Sequence, residues 1–396
     1  MEKGRNPKEL KYYWKEFREK TGEKYKKLFL EAVQLENVKA KLTGYKNKAS
    51  FLISEYEDLD FVKSIAEEVK KLTPLYKELH AYVRRKLMIF YKNETIMKDG
   101  PIPAHLLGNM YAQHWSSIYD LVVPYPDAKD PLNITAVMRK KKLEPIDMFM
   151  MAENFFTSIG MKKMNPRFWQ FSLLEKPKDE RKVNCHASAH NMNDGEDFRI
   201  KMCSTVDAPT LETVHHEMGH VQYYMYYSHL PYAFQGSTNP GVHEAVGNVI
   251  SLSVKNAKYL KSIGLINSTK TSKESTINFL MSLALDHAVG PFYAYIIDLW
   301  RNQVYDGTIK ENELNKKYWK YRLQYQGVCP PVRRSEKNFD IGAKYHIAAG
   351  VEYWRYFVAN ILQFQLHEYL CREIGHEGPV HNCTIYKKRK AGKKLA

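Results

Sequence analysis

Apolar side chains recur every three or four residues through much of this sequence, and that spacing limits its fold more than any other feature. The clearest series, with lysines and glutamates between its members, is Phe61, Ile65, Val69, Leu72, Leu75, Leu79 and Val83. Residues three and four apart share one face of an α-helix, so the series predicts a long amphipathic helix. Helical spacing also covers most of the first hundred residues, residues 109–122 and the chain from residue 210 onward. The sequence therefore predicts a mainly α fold.

One central segment has a different pattern. VNCHASAH (183–190) and DFRIKMCSTV (197–206) are short, and the turn-forming residues Asn193, Asp194 and Gly195 lie between them. This arrangement predicts a small β-hairpin within residues 183–206. Proline- and glycine-containing stretches predict breaks or loops at 100–105, 124–131, 229–241, 326–341 and 374–384.

The chain carries 60 basic and 44 acidic residues, a formal charge of +16. Such an excess can indicate a nucleic-acid or acidic-polysaccharide partner. Here, however, most lysines are dispersed along amphipathic segments, and a dense run lies at residues 387–390. This distribution is typical of a solvated surface, so we expect no nucleic-acid partner. No apolar run is long enough to predict a membrane span, and the first residues contain no apolar segment of a signal peptide.

The cysteines and sequons bear on the cellular compartment. Five cysteines are present, and four Asn-x-Ser/Thr sequons begin at Asn93, Asn133, Asn267 and Asn382. Sequons favour a secreted protein, in which disulfides would also form. The missing signal sequence argues against secretion, so the residues alone do not decide the cellular compartment.

The motif VHHEMGHVQYY (214–224) carries the strongest chemical signal. His216 and His220 are four residues apart, so on a helix both imidazoles can face one cation. Glu217 is one step round the helix, close enough to exchange a proton with a metal-activated water. The spacing is that of a zinc-peptidase motif, and the helical context of residues 211–227 supports it.

A catalytic zinc needs a third protein ligand and one open coordination position. Continuation as HExxHxxGxxH is excluded, because Tyr223 and Tyr226 occupy the required positions. The next candidates lie in NPGVHEAVGN, where a new helix is expected from Pro240. Glu244 there would complete a His-His-Glu site, and His243 is the alternative ligand.

These motifs together resemble the angiotensin-converting enzymes. HHEMGHVQYY and NPGVHEAVG carry the resemblance, and GPIPAHLLGNMYAQHW, CHASAH, DFRIKMC, YQGVCPPV, GAKYHI, RYFVANILQFQLHE and GHEGPVHNC follow in the same order. The resemblance implies a largely helical zinc peptidyl-dipeptidase of the gluzincin type, with a central channel. It implies a single peptidase domain over residues 1–396, without the family's N-terminal lid helices and last C-terminal helices.

The resemblance also implies roles for individual residues. His216, His220 and Glu244 would hold one zinc ion, and Glu217 would act as general base and then general acid. His346 and Tyr356 would hydrogen-bond the oxyanion of the tetrahedral intermediate, since donors aimed at developing charge lower a barrier. The groups implied to bind the peptide are Gln113, Lys344 and Tyr353 at its C-terminal carboxylate, and His186, Ala187 and Ala189 along its backbone.

Two chloride sites and two disulfides are implied in the same way. One chloride site would comprise Arg18, Tyr318 and Arg322, and the other Tyr56 and Arg355. The disulfides would be Cys185–Cys203 and Cys371–Cys383, with Cys329 free. The resemblance further implies an extracellular, secreted protein whose partners are oligopeptides with a free C-terminal carboxylate.

The sequence also departs from the family pattern. Asn248 replaces an aspartate that supports a zinc histidine, and losing such a charge typically costs about 10–100-fold in metal affinity or activity. Asn360, residues 287–290 and His190 replace aromatic positions. The sequence thus favours a zinc peptidase that removes C-terminal dipeptides. The alternative is a weakened or inactive relative that binds peptides.

Overall fold

The computed structural model describes residues 1–128, 134–179 and 181–396, and it confirms the mainly α prediction. The α-helices, in chain order, are α1 (Pro7–Lys20), α2 (Lys26–Leu42), α3 (Lys48–Ser54), α4 (Phe61–Phe90), α5 (Tyr119–Val122), α6 (Thr135–Lys140), α7 (Pro145–Ser158), α8 (Pro166–Phe171), α9 (Ala208–Tyr227), α10 (Pro240–Val254), α11 (Ala257–Ser262), α12 (Lys273–His287), α13 (Gly290–Tyr305), α14 (Leu314–Tyr321), α15 (Tyr345–Ala348), α16 (Trp354–Glu373) and α17 (Arg389–Leu395).

The predicted β-hairpin is also present. Its strands, β2 (Ser188–Asn191) and β3 (Phe198–Lys201), pair antiparallel, with Ser188 opposite Lys201. Both are shorter than predicted. Asn193 and Gly195 have positive φ in the connecting turn, a conformation that asparagine and glycine tolerate best. A short parallel pair, β1 (Ile102–Pro103) with β4 (Val328–Cys329), was not predicted.

Two local predictions were wrong. The helix expected over residues 109–122 is limited to α5 and the 3-10 turn Ser116–Ile118, and the positive φ of Ala112 is incompatible with a continuous right-handed helix. In α4, Leu75 is 60% exposed, whereas Tyr76 is buried. The buried face of α4 therefore includes Tyr76 in place of Leu75, which the apolar spacing had predicted to be buried.

The chain divides into two compact units, the first of which comprises Met1–Ala128 and Thr276–Phe357. Its central helix is α13, which is buried along nearly its whole length. Aromatic rings pack on this helix: Trp300 stacks with Phe29, with 5.8 Å between ring centroids, and Phe292 stacks with Tyr76 at 4.2 Å. Ring pairs at these separations stabilise a core beyond the apolar area they bury.

The second unit comprises Lys129–Ser275 and Val358–Ala396. Its apolar core joins α7, α9 and α10 to the hairpin, with Phe155, Met218 and Val249 fully buried. Both predicted disulfides are present here, with Cα atoms 5.0 Å apart in Cys185–Cys203 and 6.2 Å in Cys371–Cys383. Cys329, in the first unit, is free.

One helical stretch, Lys273–Tyr305, is long and apolar enough to cross a bilayer by length and composition alone. It contains α12 and α13, and 50% of its most apolar window is buried inside the structure. Burial of this kind is ordinary for a core helix of a globular protein, so the stretch is weak evidence for a membrane span.

Candidate functional site

The HHEMGH motif lies within a single helix, as predicted. Asp207 caps α9 by accepting a hydrogen bond from the backbone N–H of Thr210, and Pro209 lies in the first turn. Asn239 caps α10 in the same way, accepting from Gly241 and Val242. Capping of this kind satisfies backbone donors that the helix itself leaves unpaired.

Two glycines allow α9 and α10 to approach each other closely. A Cβ on Gly219 would lie 3.1 Å from the Cα of Gly247, and a Cβ on Gly247 would lie 2.6 Å from Nδ1 of His216. A separation of 3.1 Å is unusually tight and one of 2.6 Å requires movement, so a larger residue at 247 would displace His216 or separate the helices. The Gly219–Gly247 contact thus brings Glu244 of α10 beside the histidines of α9.

Three potential ligand atoms converge at this crossing. The Nε2 atoms of His216 and His220 are 3.0 Å apart, and Oε2 of Glu244 lies 3.5 Å from the first and 3.8 Å from the second. Ligand atoms placed tetrahedrally about 2.0–2.1 Å from one ion are roughly 3.4 Å from each other. Two imidazoles and a carboxylate with this spacing fit Zn²⁺ and leave a fourth position open.

Glu217 is buried next to this cluster. Burial raises the pKa of its carboxyl group to about 6, an effect that the charge of Glu244 reinforces and His216 opposes. Burial also lowers the pKa of His220 to about 3, so its ring is neutral at physiological pH, as a metal ligand must be.

His243 and Asn248 lie on α10 beside the cluster. Nδ1 of His243 is 2.6 Å from Nδ1 of His220, on the side of that ring away from Nε2. Its ring packs against those of Tyr223 and Tyr224. Among the described residues, the Asn248 side chain makes no hydrogen bond to either histidine of the cluster. The geometry therefore gives Glu244, and not His243, the position between the two Nε2 atoms.

The hairpin residues predicted to bind a peptide backbone lie at and before β2. Ala189 is in the strand, and its carbonyl accepts a hydrogen bond of 3.4 Å from the Tyr224 hydroxyl. His186 and Ala187 precede the strand, next to the Cys185–Cys203 disulfide. The neighbouring His190 ring contacts the Ser188 hydroxyl at 2.9 Å.

In the first unit, Lys344 and Gln113 meet although they are far apart in sequence. The Lys344 ammonium donates to Oε1 of Gln113 at 2.5 Å and lies over the rings of Tyr111 and Tyr353. Burial lowers the pKa of Lys344 to about 8. An ammonium and an amide, with a phenol nearby, form a suitable receptor for a carboxylate.

His346 and Tyr356 also meet in this unit. Nε2 of His346 lies 3.2 Å from the Tyr356 hydroxyl. The Tyr353 ring packs against both, with centroids 4.8 Å from that of His346 and 4.7 Å from that of Tyr356. The three predicted residues thus form one contiguous polar-aromatic cluster.

The first predicted chloride site contains two fully buried guanidinium groups. Arg322 donates to the Tyr318 hydroxyl at 2.7 Å, and Arg18 donates to the Met110 carbonyl at 2.8 Å. Within the described residues, Nε of Arg18 and both Nε and Nη2 of Arg322 are buried without an acceptor. Burial lowers the pKa of Arg18. Buried unpaired donors of this kind suit a small anion.

The second predicted chloride site contains a carboxylate that the sequence reasoning missed. Glu352 is 4% exposed, and it accepts hydrogen bonds from Tyr56 and Arg355, the two residues predicted to hold chloride. The Asp298–Arg301 ion pair on α13, also missed, lies close by. Glu352 is adjacent to the predicted Tyr353, but nothing in sequence alone distinguishes it from an exposed glutamate.

Comparison with known proteins agrees along the whole chain. The angiotensin-converting enzyme family matches residues 1–396. The angiotensin-converting enzyme of Rattus norvegicus is 48% identical over 396 residues, which cover 100% of this chain and 30% of the rat protein. That of Haematobia irritans exigua is 43% identical over 397 residues, covering 99% of this chain and 65% of the fly protein. The chain thus spans about 30% of the length of the mammalian angiotensin-converting enzymes it matches. A match of this extent and identity means that the chain belongs to the angiotensin-converting enzyme family of peptidases.

Proposed function

We propose that this chain is a zinc metallopeptidase that releases dipeptides from the C-termini of oligopeptides. The observation that carries the proposal is the convergence of His216, His220 and Glu244, whose ligand atoms all lie within 4.8 Å of one another. These three side chains would hold one Zn²⁺. When bound, zinc supplies Lewis acidity, which polarises a carbonyl group and lowers the pKa of water.

Glu217 moves the proton in this proposal. Its carboxyl is buried beside the cluster but is not one of the three ligands, so it is available as a base. It takes a proton from the attacking water and passes it to the nitrogen of the leaving amine. A positioned acid–base group of this kind typically contributes about 10²–10⁴-fold to a rate.

His346 and Tyr356 stabilise the developing negative charge. Their polar atoms are 3.2 Å apart, so both can donate to one oxyanion. The packing of Tyr353 on both rings holds them in place before the substrate binds. Preorganised donors are effective because they need no rearrangement when the charge appears.

Lys344 and Gln113 determine where the peptide is cut. Lys344 would pair with the terminal carboxylate of the substrate, while Gln113 and Tyr353 complete the receptor. A fixed anchor for the chain end sets the number of residues released. Residues 186–189 would bind the peptide backbone as an added strand. The substrates are therefore oligopeptides with a free C-terminus.

We also propose an anion site and an extracellular location. The unpaired donors of Arg18 and Arg322 support chloride binding beside Tyr318. The two disulfides support an oxidising compartment, and the sequon residues Asn93, Asn267 and Asn382 are exposed. The fourth sequon, Asn133, lies outside the described residues.

A second candidate function is peptide binding without turnover. It is favoured by Asn248, whose neutral side chain makes no hydrogen bond to His216 or His220 within the described part of the chain. Without a charged partner a metal-binding imidazole is a weaker ligand. In this alternative the metal site would be partly filled, and Asn248→Asp would raise both zinc affinity and turnover.

One experiment tests the proposal. Zinc in the purified protein is measured by atomic emission, and cleavage of an N-terminally blocked tripeptide is followed by mass spectrometry. We expect one zinc per chain and release of the intact C-terminal dipeptide, with little cleavage of the C-terminally amidated peptide. Absence of cleavage, with a zinc site that is only partly filled, would favour the peptide-binding alternative.

A further inference from the structure

The first unit contains a buried acidic cluster outside the proposed catalytic groups. Glu352 has one carboxylate oxygen, Oε1, that accepts from the Tyr56 hydroxyl at 2.9 Å and from the backbone N–H of Arg355 at 3.0 Å. Its other oxygen accepts from Nε of Arg355 at 3.2 Å. The Tyr56 hydroxyl and Nε of Arg355, two donors that a dissolved halide would use, therefore already donate to an internal carboxylate.

A second carboxylate anchors the same stretch of chain. Oδ2 of Asp298 accepts from the backbone N–H groups of Tyr353, at 2.5 Å, and Trp354, at 2.8 Å. Arg301 pairs with Asp298 and also donates to the His346 carbonyl at 3.1 Å. Asp298 and its partner Arg301 thus hold both ends of residues 346–356, and Glu352 adds contacts at the C-terminal end.

That stretch carries three of the groups assigned to the substrate, namely His346, Tyr353 and Tyr356. Buried backbone N–H groups that donate to a carboxylate make strong, charge-assisted hydrogen bonds. If a proton neutralises Glu352, the hydrogen bonds that it accepts from Tyr56 and Arg355 weaken. The hydrogen bonds that Asp298 accepts from Tyr353 and Trp354 remain. The segment is then held less firmly at its C-terminal end.

We propose that Glu352 is a positioning residue that serves as an internal anion for Tyr56 and Arg355, and that its charge controls how firmly the segment carrying Tyr353 and Tyr356 is held. The effect on turnover rests on the proposed function, because it acts through those two residues. The anion role itself requires only the contacts of Glu352.

The surroundings of Glu352 make its charge responsive to pH. Burial raises its pKa to about 8, and the Asp298 carboxylate adds to this effect. Arg355, the hydrogen bond from Tyr56 and, more weakly, Arg301 lower the pKa. The folded protein therefore binds this proton more tightly than the unfolded chain does. The stability contributed by the neutral carboxyl is present at low pH and is lost as the pH rises towards 8.

The decisive variant is Glu352→Gln, which keeps the shape and removes the charge. We expect the ratio of wild-type to variant kcat/KM to be near one at pH 6 and to rise roughly tenfold above pH 9, because charged hydrogen bonds are the stronger ones. The effects of titrating groups that both proteins share, such as Glu217 and Lys344, cancel in this ratio. A ratio that is constant with pH would mean a purely structural role and overturn the proposal.

Thermal stability gives a readout that needs no turnover. The Tm of Glu352→Gln minus that of wild type should increase between pH 5 and pH 8, since the variant mimics the neutral carboxyl. The control is Glu55→Gln, an exposed glutamate next to Tyr56, whose Tm difference should not change with pH. If the Tm difference follows pH but no peptide is cleaved, the proposed function fails while the anion role stands.

A second variant tests the anion role directly. Glu352→Ala leaves space beside Arg355, and added formate, which carries the missing carboxylate, should raise its Tm and kcat/KM. Formate should do neither for wild type, for Glu352→Gln or for the double variant Glu352→Ala/Arg355→Gln. Absence of any formate response in a folded Glu352→Ala protein would overturn the internal-anion role.

Discussion

Gly247 lies so close to His216 that a Cβ on the glycine would come within 2.6 Å of the imidazole Nδ1. The position of one candidate zinc ligand therefore depends on the absence of a side chain on the neighbouring helix. Two opposing effects decide what an alanine would do there. It would gain about 1 kcal/mol of helix propensity, but overpacking of a filled core costs about 1–3 kcal/mol.

We predict that Gly247→Ala lowers zinc affinity by roughly tenfold or more, because His216 must move from its place beside His220 and Glu244. Chelator competition measures the affinity, and urea denaturation measures the free energy of unfolding. Gly236→Ala is the control, since a Cβ there would meet nothing within 4 Å. A Gly247→Ala protein with unchanged zinc affinity and a higher Tm would contradict the close contact.

Glu217→Gln should separate chemistry from metal binding. We expect kcat to fall by about 10²–10⁴-fold, as is typical when an acid–base group is removed, while zinc affinity stays near the wild-type value. Glu212→Gln on the same helix is the matched control, since it also removes one carboxylate; Glu212 pairs with Lys255 at 2.8 Å and is not one of the three candidate ligands. Equal loss of zinc and of turnover in Glu217→Gln would instead make Glu217 a ligand.

Lys344 should give the peptidase an alkaline limit on substrate binding. Its pKa in the folded protein is about 8, so the ammonium that pairs with the substrate carboxylate is lost above that pH. We expect KM to rise as the pH increases beyond about 8, by up to tenfold per unit. Lys344→Met should show a high KM without this rise and should cleave acid and amide substrates equally. If the variant still prefers the free carboxylate, the anchor is elsewhere.

The same lysine predicts a change in stability. Because its pKa is lowered from 10.5 on folding, the unfolded chain binds more protons between pH 8 and pH 10.5. The contribution of Lys344 to the free energy of unfolding therefore becomes more favourable as the pH rises through that range. Lys344→Met should lack this component when urea denaturation is compared across the range.

The two disulfides should contribute to the free energy of unfolding, whereas the free thiol of Cys329 should not. Replacing Cys185 and Cys203 by serine opens a link between residues 18 apart, and loop-closure entropy predicts a loss of about 3 kcal/mol. The pair Cys371 and Cys383, 12 apart, should cost slightly less. Cys329→Ser is the control and should leave the free energy of unfolding within about 0.5 kcal/mol of wild type. Equal stability of oxidised and fully reduced protein would contradict this.

Local features of the fold could be predicted from the sequence. Helix periodicity identified α4, and the histidine spacing with its helical context identified α9, because these signals depend on neighbours within one or two turns. The prediction of a helix over residues 109–122 was wrong because apolar spacing does not report the positive φ of Ala112. The prediction that Leu75 is buried was wrong because Leu75 and Tyr76 are both apolar and adjacent, and only one of them can lie on the buried face of α4.

In the candidate site, too, local features could be predicted from the sequence and long-range contacts could not. His216, Glu217 and His220 follow from one motif, whereas the sequence left Glu244 and His243 as alternatives, since they are adjacent and chemically suitable. Only the orientation of α10 distinguishes them. The role of Glu352 could not be predicted from the sequence. Its hydrogen bond with Tyr56 joins residues 296 apart in the chain, and composition gives no sign that a glutamate is buried.

All three candidate zinc ligands come from α9 and α10, which follow each other in the chain and are joined by the short connection 228–239. The entropy lost in bringing them together is that of closing one small loop, and this cost grows only slowly with length. Contacts between near neighbours in sequence also form early in folding. A divalent ion could therefore be captured by this helical hairpin while the rest of the polypeptide is still collapsing, and could then act as a nucleus on which the surrounding core assembles.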